Sequence, residues 1–535
     1  MKYFTYSCGC KFPIEENGNA KKIIFEPQIE ELNLSCERTW SLLSEGNTKG
    51  VFQLESRLGK QTSKKLKPEN IEQLSALIAI LRPGCLEALR DGKSVTNHYI
   101  DKKNGLESVD YFHPALEPIL NSTYGEMIYQ EQAMEIAKVI AGFNLQEADS
   151  LRKAIGKKKP EEMAKVKKKF IKGSKKLGIV NTDEAEQIFG WIEKSQRYSF
   201  NKSHSVSYAI NAYLSAFSKA HFPKVFFASY LRFAKDKIDP QAEIKELVQN
   251  AVEMDIDIRT PDLRNLNRNF ILKNNKVFFG LTDIKGVGNN VFDKLIGLID
   301  KQTIEEADWV DILLNVLLNI NSTAAKALIQ SGALYYLKKT RNSMLFEHSL
   351  LQNLTKKELQ FIGDNKQKDI TSCLSYLYDN SKINKNRKQV IQNLIDSSKK
   401  PPYSLEDTPE WIADNEDMLL GCSITCGKVD MYDISMCNST CKDFKNGERT
   451  ENIILGGEID YISVIKTKKG KNPGAEMAFV TIKDNTATLD NVIFFPEQYQ
   501  QFKSVLFEGN VIIVKGGKTK NKDGLIVEKT FIAKT

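Results

Sequence analysis

Histidine (5) and tryptophan (4) are scarce in this 535-residue chain, and no run of 18 apolar residues occurs anywhere. That last absence leaves no segment able to span a bilayer as a helix. Met1-Lys2-Tyr3-Phe4 leads into no apolar signal segment either. Nine cysteines, mostly singletons, are too scattered for a disulfide scaffold and suit a reducing cytosol. The expectation is a soluble, cytoplasmic protein with no membrane partner. Neither sign of charge is lacking: Lys plus Arg is 76, Asp plus Glu is 68, and the net charge is +8. With so mild an excess, where the charges cluster matters more than their sum. The chain is 41% hydrophobic, and its length corresponds to about three or four domains.

The strongest clustering lies between Lys153 and Lys176, with eleven lysines against two acids, Glu161 and Glu162. A polyanion is the usual partner of such a run, although a solvated helix face also produces one. Ahead of it, Asn144 and Glu147 are spaced as a capping box. They open a helix carrying Leu145, Ala148, Leu151 and Ile155, stopped by Gly156. Arg152 and Lys153 in its last turn, followed by Lys157-Lys158-Lys159, read in two ways: as cations favoured by the helix dipole, or as a cage for a multiply charged phosphate.

The richest stretch is Arg197-Tyr-Ser-Phe200-Asn201-Lys202-Ser203-His204-Ser205. Ser203 is suited to cap a helix, whose buried stripe would be Val206, Ile210, Tyr213, Phe217 and Ala220. Lys202 and His204 would then stand at the positive end of that helix, where free N–H groups favour an anion. A solvated helix start and a phosphate site both fit this stretch on its own. Pro223 should break the helix near His221.

Elsewhere the signals are of several kinds. Arg82-Pro83-Gly84 stops a helical stripe and could aim Arg82 at a ligand or at carbonyls. A helical stretch is expected over residues 30–43. Phe270-Ile-Leu272 and Val277-Phe-Phe279 flank Asn274-Asn275 as a β-hairpin. Gly280 to Gly288 has the pattern of a helix–hairpin–helix, whose Gly286-Val287-Gly288 turn presents backbone N–H groups to a DNA phosphate, with Lys285 beside it. From residue 451 five short strands, with a helix between the third and fourth, suit an OB-fold barrel. Its basic loop, including Lys468 and Lys469, is composed as a single-strand contact would be.

Zinc is not expected at Cys8, Cys10 and Cys36, whose spacing does not make a site. Cys422, Cys426, Cys437 and Cys441 form two C-x3-C pairs, conceivable as a four-thiolate site, although a separation of two is more usual. Gln392-Asn-Leu-Ile395 is vaguely like a sliding-clamp-binding peptide.

Taken together, the motifs resemble the C-terminal part of the bacterial or phage replicative DNA polymerase III alpha subunit, of the C-family. The resemblance rests on Gly50-Val-Phe-Gln-Leu-Glu-Ser56, Arg82-Pro-Gly84, Tyr124-Gly125 with Tyr129-Gln-Glu-Gln132, and Glu147-Ala-Asp149. It continues in Leu151 through Met163, Phe200-Asn-Lys-Ser-His204 and Ile284-Lys-Gly-Val-Gly288, in family order. It implies a multi-domain α+β chain: an N-terminal segment (1–49) left from the palm–fingers junction, a mainly helical fingers domain (50–235) and a helix–hairpin–helix region (236–345). A helical linker (346–450) and an OB-fold (451–535) follow. The fingers would hold the incoming dNTP through Arg152, Lys153, Lys202 and His204, with Asn201, Arg82 and Lys157 in support. DNA would meet Lys285, Gly286, Gly288, Lys468 and Lys469. The family more often has Arg where Lys153 stands and Gly where Ser199 stands.

The resemblance further implies that the palm's acidic D-x-D-type motif, which holds two Mg²⁺ for nucleotidyl transfer, is missing from this chain. No catalytic residue and no metal ligand is expected here. A palm-bearing partner would supply them, making this the fingers-to-OB half of a split DNA polymerase acting on primer-template and single-stranded DNA. The alternative is a non-catalytic DNA-binding replication factor derived from the polymerase.

Overall fold

The computed structural model describes residues 2–17, 20–26, 28–156, 160–195, 198–300, 303–449, 451–467, 473–519 and 524–533. Lys157, Lys468 and Lys469 lie outside them. The chain forms two compact units, Met1–Phe222 and Pro223–Thr535.

The first unit opens with an antiparallel sheet, β1 (Lys2–Thr5), β2 (Lys11–Asn17) and β3 (Ala20–Ile23). Helices α1 (Glu37–Ser44), α2 (Arg57–Leu66), α3 (Ile71–Ile80) and α4 (Pro83–Glu87) follow, then a small hairpin of β4 (Leu89–Arg90) and β5 (Lys93–Ser94). The unit continues through α5 (Val95–Lys103), α6 (Glu117–Leu120), α7 (Gln130–Ala141), α8 (Leu145–Gly156), α9 (Pro160–Leu177), α10 (Thr182–Ser195) and α11 (Lys202–His221). The helix expected over 30–43 is shorter than that, because residues 32–36 turn before α1 begins.

Helix α11 is central to this unit. Its buried face is not the stripe of large residues alone: Ser205, Ala209, Ala212 and Ala216 are buried beside Tyr213, Phe217 and Ala220, while Val206 and Ile210 are only half-buried. The small residues bring α11 close to α3, in which every residue from Gln73 to Ile80 is buried. The Ser205 hydroxyl donates to the Ser75 carbonyl at 2.6 Å across that seam. Asn201, not Ser203, is the N-cap, accepting the His204 N–H at 2.8 Å. The helix starts two residues early because an amide side chain at 201 already closes the first turn. The expected capping box forms at α8, where Asn144 and Glu147 exchange bonds of 2.9 and 3.0 Å.

The second unit begins with α12 (Pro223–Phe233), α13 (Pro240–Glu253) and β6 (Ile258–Arg259). The hairpin of β7 (Ile271–Lys273) and β8 (Lys276–Phe278) turns on Asn274 and Asn275, with φ of +49° and +65°; Asn tolerates this left-handed pair. Next come α14 (Asn289–Leu298), α15 (Trp309–Asn315), α16 (Ser322–Gln330), α17 (Arg341–Leu351), α18 (Lys356–Asp364), α19 (Ile370–Asn380), α20 (Lys385–Lys399), α21 (Pro409–Leu420) and α22 (Cys441–Asn446). One core runs from Phe227 on α12 through these helices to Cys422. Gln392-Asn-Leu-Ile395 lies inside α20 with Leu394 and Ile395 buried, so it is not displayed as an extended peptide.

The unit ends in β9 (Ile453–Lys466), β10 (Glu476–Lys483), β11 (Thr488–Phe494), α23 (Pro496–Phe502), β12 (Val511–Lys518) and β13 (Leu525–Ile532). The strands close into a barrel in the order β10-β11-β13-β12-β9, with β11 and β13 parallel. A helix between the third and fourth strands of a five-stranded barrel is the OB arrangement. Closure leaves no long unpaired edge for another strand to join. Among the described residues, no helix is long and apolar enough to cross a membrane.

One carboxyl of this unit gives it a pH dependence. Burial pushes Asp283 up to about 6, against the pull of the Gly280 N–H that it accepts at 3.0 Å and of Lys235. Its native pKa thus lies above its unfolded one, so stability present near pH 4 is lost as pH rises through 6. The loss at this group is about 2 kcal/mol. Asp283→Asn should flatten that part of a urea-midpoint profile between pH 4 and 7.

Candidate nucleotide and nucleic-acid interface

The Tyr124–Gln132 segment works as a frame for the start of α11. The Gln132 side chain accepts the N–H groups of Ile128 and Tyr129 at 3.0 Å and donates to Thr123. Tyr129 pairs with Phe200 in a parallel bridge, with Gln130 N–H to Phe200 O at 2.9 Å and Phe200 N–H to Ile128 O at 2.8 Å. Glu131 then reaches the helix start, accepting the Lys202 N–H at 2.9 Å and the Asn201 amide at 2.8 Å. This changes the expected chemistry of the helix end. Two of its leading N–H groups, at Lys202 and His204, already serve Glu131 and Asn201, so an arriving phosphate would meet side chains more than bare amides.

Those side chains converge. The Arg82 guanidinium lies over the Phe200 ring at 3.6 Å, and Lys202 Nζ is 5.7 Å from the Tyr129 centroid. His204 contacts both Phe200 and Tyr208, and Tyr208 contacts Phe52, with centroids 5.5, 4.0 and 5.1 Å apart. Arg82, Asn201 and His204 are exposed, and Lys202 is half-buried. Lys202 also lines a cavity of about 140 Å³ with Ile71, Glu72, Ser75, Ser122, Tyr129 and Val206. The result is a cationic cluster on an aromatic base, which can take an anion with a flat ring attached.

Arg152 and Lys153 form a separate pair on α8. Asp149 binds both, at 2.8 and 2.7 Å, and their bonds hold its carboxyl below the usual range. Among the described residues no hydrogen bond, ion pair or ring contact joins this pair to Lys202 or His204. What the two groups share is α7, which packs on α8 and whose Glu131 caps α11. Glu131, Tyr129 and Phe200 were not among the expected site residues, although all three stand inside the motifs that pointed here.

In the second unit, Lys285, Gly286 and Gly288 are exposed around the turn before α14, while Ile284 and Val287 are buried beneath it. The Lys285 N–H donates to Leu419 O at 2.9 Å. The two glycines have different reasons. Gly286 has φ of +96°, where a side chain is strained in any surroundings. Gly288 has an ordinary φ of −84°, caps α14, and an added Cβ would meet nothing within 4 Å. Gly288→Ser should therefore leave the melting temperature within about 2 °C, since Ser is a good N-cap. It should weaken duplex binding severalfold in a fluorescence-anisotropy titration, since only an approaching phosphate would meet the new side chain.

The D-x-D spelling does occur once, as Asp255-Ile256-Asp257. It differs from a two-metal palm motif in its setting: Asp255 pairs with Lys442, and Asp257 with Arg259 at 2.5 Å and Lys276 at 3.4 Å. The four C-x3-C cysteines do not converge on one site. Cys422 belongs to the helical core, Cys441 to the barrel core, and Cys437 packs against a third cluster.

A cation–aromatic cluster on a helical lobe, a helix–hairpin–helix turn and an OB barrel make up a multi-domain α+β protein. Residues 14–178 match the bacterial DNA polymerase III alpha subunit finger domain, and residues 255–344 match a helix-hairpin-helix motif. The DNA polymerase III subunit alpha of Aquifex aeolicus is 33% identical over 91% of this chain and 38% of its own length. Those of Haemophilus influenzae and Pseudomonas aeruginosa are each 32% identical, over 91% and 93% of this chain and 40% and 42% of theirs. The chain thus belongs to the DNA polymerase III alpha family and spans about two fifths of the length of these relatives.

Proposed function

We propose that this chain is the fingers-to-OB half of a split replicative DNA polymerase, binding the incoming dNTP and primer-template DNA for template-directed synthesis. The observation that carries the reading is the cluster of Arg82, Lys202 and His204 on Phe200 and Tyr129, in the unit whose residues 14–178 match the finger domain. In this reading Lys202 and Arg82 neutralise the triphosphate. Asn201 and Glu131 hold the helix start in place, and His204 with Tyr208 presents a ring face to the nucleotide. Arg152 and Lys153 supply further charge, with Lys153 acting as a point charge rather than a bidentate fork. The helix–hairpin–helix turn holds the duplex backbone, and the barrel takes single-stranded template.

Two Mg²⁺ ions, when held by the carboxylates of a palm on a partner chain, would supply the in-line transfer chemistry. In this reading the part of Arg82, Lys202, His204, Arg152 and Lys153 is to bind and orient. The working place of such a protein is the cytoplasm of a bacterium, or of a phage-infected one. The test is primer extension by the purified chain with a candidate palm-bearing polypeptide. Co-purification and extension seen only with both present would support the reading. Salt-dependent DNA binding without nucleotide dependence in any mixture would favour the non-catalytic replication factor.

A further inference from the structure

The N-terminal hairpin raises a physical question. All four residues of β1 are exposed, so that strand adds no fully buried side chain to the core, and small sheets of this kind usually need a staple. The hairpin turn carries Cys8 and Cys10. It is closed by Gly9 N–H to Tyr6 O and Tyr6 N–H to Cys10 O, both at 2.9 Å. Two other elements converge on it. Cys36 is the N-cap residue of α1, and its side chain makes no capping bond. His221 is the last residue of α11. Cys10, Cys36 and His221 are buried, Cys8 half-buried, and the four ligand atoms all lie within 4.8 Å of one another.

We propose that Cys8, Cys10, Cys36 and His221 form a structural zinc site that staples the hairpin to the start of α1 and the end of α11. It runs against the expectation drawn from the cysteine spacing, because the fourth ligand would come from the far end of the unit.

The distances fit a tetrahedron. Cys8 Sγ and Cys36 Sγ lie 3.4 and 3.7 Å from His221 Nε2. Zn–S and Zn–N bonds at tetrahedral angles set that edge at about 3.6 Å. The surroundings are those of a ligating histidine. Its Nδ1–H donates to Phe217 O at 3.0 Å, which leaves the Nε2 lone pair facing the three sulfurs. Asn33 Nδ2 donates to Cys10 Sγ at 3.6 Å. Binding would release three thiol protons to solvent and leave a net charge of −1. Arg38, which lies over the Tyr6 ring and donates to Ala220 O at 2.7 Å, is at hand to balance it. Ordinary core packing of four such residues would not require their donor atoms to share one small volume.

The test is metal analysis of the 535-residue chain, purified without chelating resin, by inductively coupled plasma mass spectrometry. About one zinc per chain is expected. Refolding with Co²⁺ instead should give thiolate-to-cobalt charge-transfer bands. Cys36→Ser and the milder, half-exposed Cys8→Ser should lower zinc to below about a tenth per chain. Cys85→Ser, at a buried cysteine outside the cluster, should leave it unchanged. Chelation of the wild-type chain should hasten tryptic cleavage at Lys11 and Lys22, a readout independent of any variant's folding. Wild-type chain that folds with no zinc and no cobalt bands, or that forms a disulfide within the cluster, would overturn the proposal.

Discussion

Glu126→Ala is expected to destabilise the first unit by about 3–5 kcal/mol, the usual result of removing one member of a buried ion cluster. Glu126 is 1% exposed. Its carboxylate receives Lys102 Nζ at 2.9 Å and the Arg90 guanidinium at 3.1 and 2.5 Å. The alanine would leave Lys102 charged and 8% exposed without its counter-ion. Hydrogen exchange on α5 and α7 should rise first, and a urea midpoint would give the magnitude. A second change tests the cause. If the cost comes from the orphaned ammonium, Lys102→Met added to Glu126→Leu should recover most of the loss. If both variants are equally unstable, the cost lies in the shape of the turn at Tyr124 and Gly125, whose φ values are +51° and +78°.

Lys202→Ala should lower nucleotide incorporation by about ten- to a hundredfold, the worth of one charge-assisted bond to phosphate. DNA affinity should stay within about twofold, since Lys202 would touch the nucleotide and not the duplex backbone. The fold should survive, because the Glu131 cap uses the backbone N–H of residue 202 and not its side chain. Glu131→Ala would act differently, freeing Asn201 and the helix start together, and should cost about 1 kcal/mol of stability along with incorporation. Single-turnover extension over a range of dNTP concentrations separates the two. A Lys202→Ala chain with unchanged nucleotide dependence and weaker DNA binding would move the site elsewhere.

How far the sequence could be read differs by feature. Local chemistry was legible: the Asn144–Glu147 box, the β7–β8 hairpin and the five barrel strands with a helix between the third and fourth all follow from near-neighbour rules. The start of α11 was read two residues off, since Ser203 and Asn201 are both good caps and Asn201, held by Glu131, closes the first turn. The role of Glu131 could not be seen, because its two bonds cross from α7 to α11, 70 and 71 residues away. Spacing rules also hid the gathering of Cys8, Cys10 and Cys36 with His221, for the same reason. They count along the chain, while the fourth donor arrives through the packing of α11. In the opposite direction, the regular C-x3-C pairs promised a cluster that the fold distributes among different cores.

The tie between Tyr6 and His221 spans 215 residues, and that separation has a consequence during synthesis. A ribosome adding about 5–20 residues per second needs roughly ten to forty seconds to cover it. Throughout that interval Cys10 and Phe12 of the nascent hairpin, buried in the folded unit, have neither the imidazole nor the aromatic bed of Phe217 and Phe222 to close on. The barrel strands, by contrast, all emerge between residues 453 and 532 and can pair as they leave the exit tunnel. The hairpin is thus among the last parts of its unit to settle, and a chaperone or protease sampling the nascent chain would meet Cys10 and Phe12 before the native protein hides them.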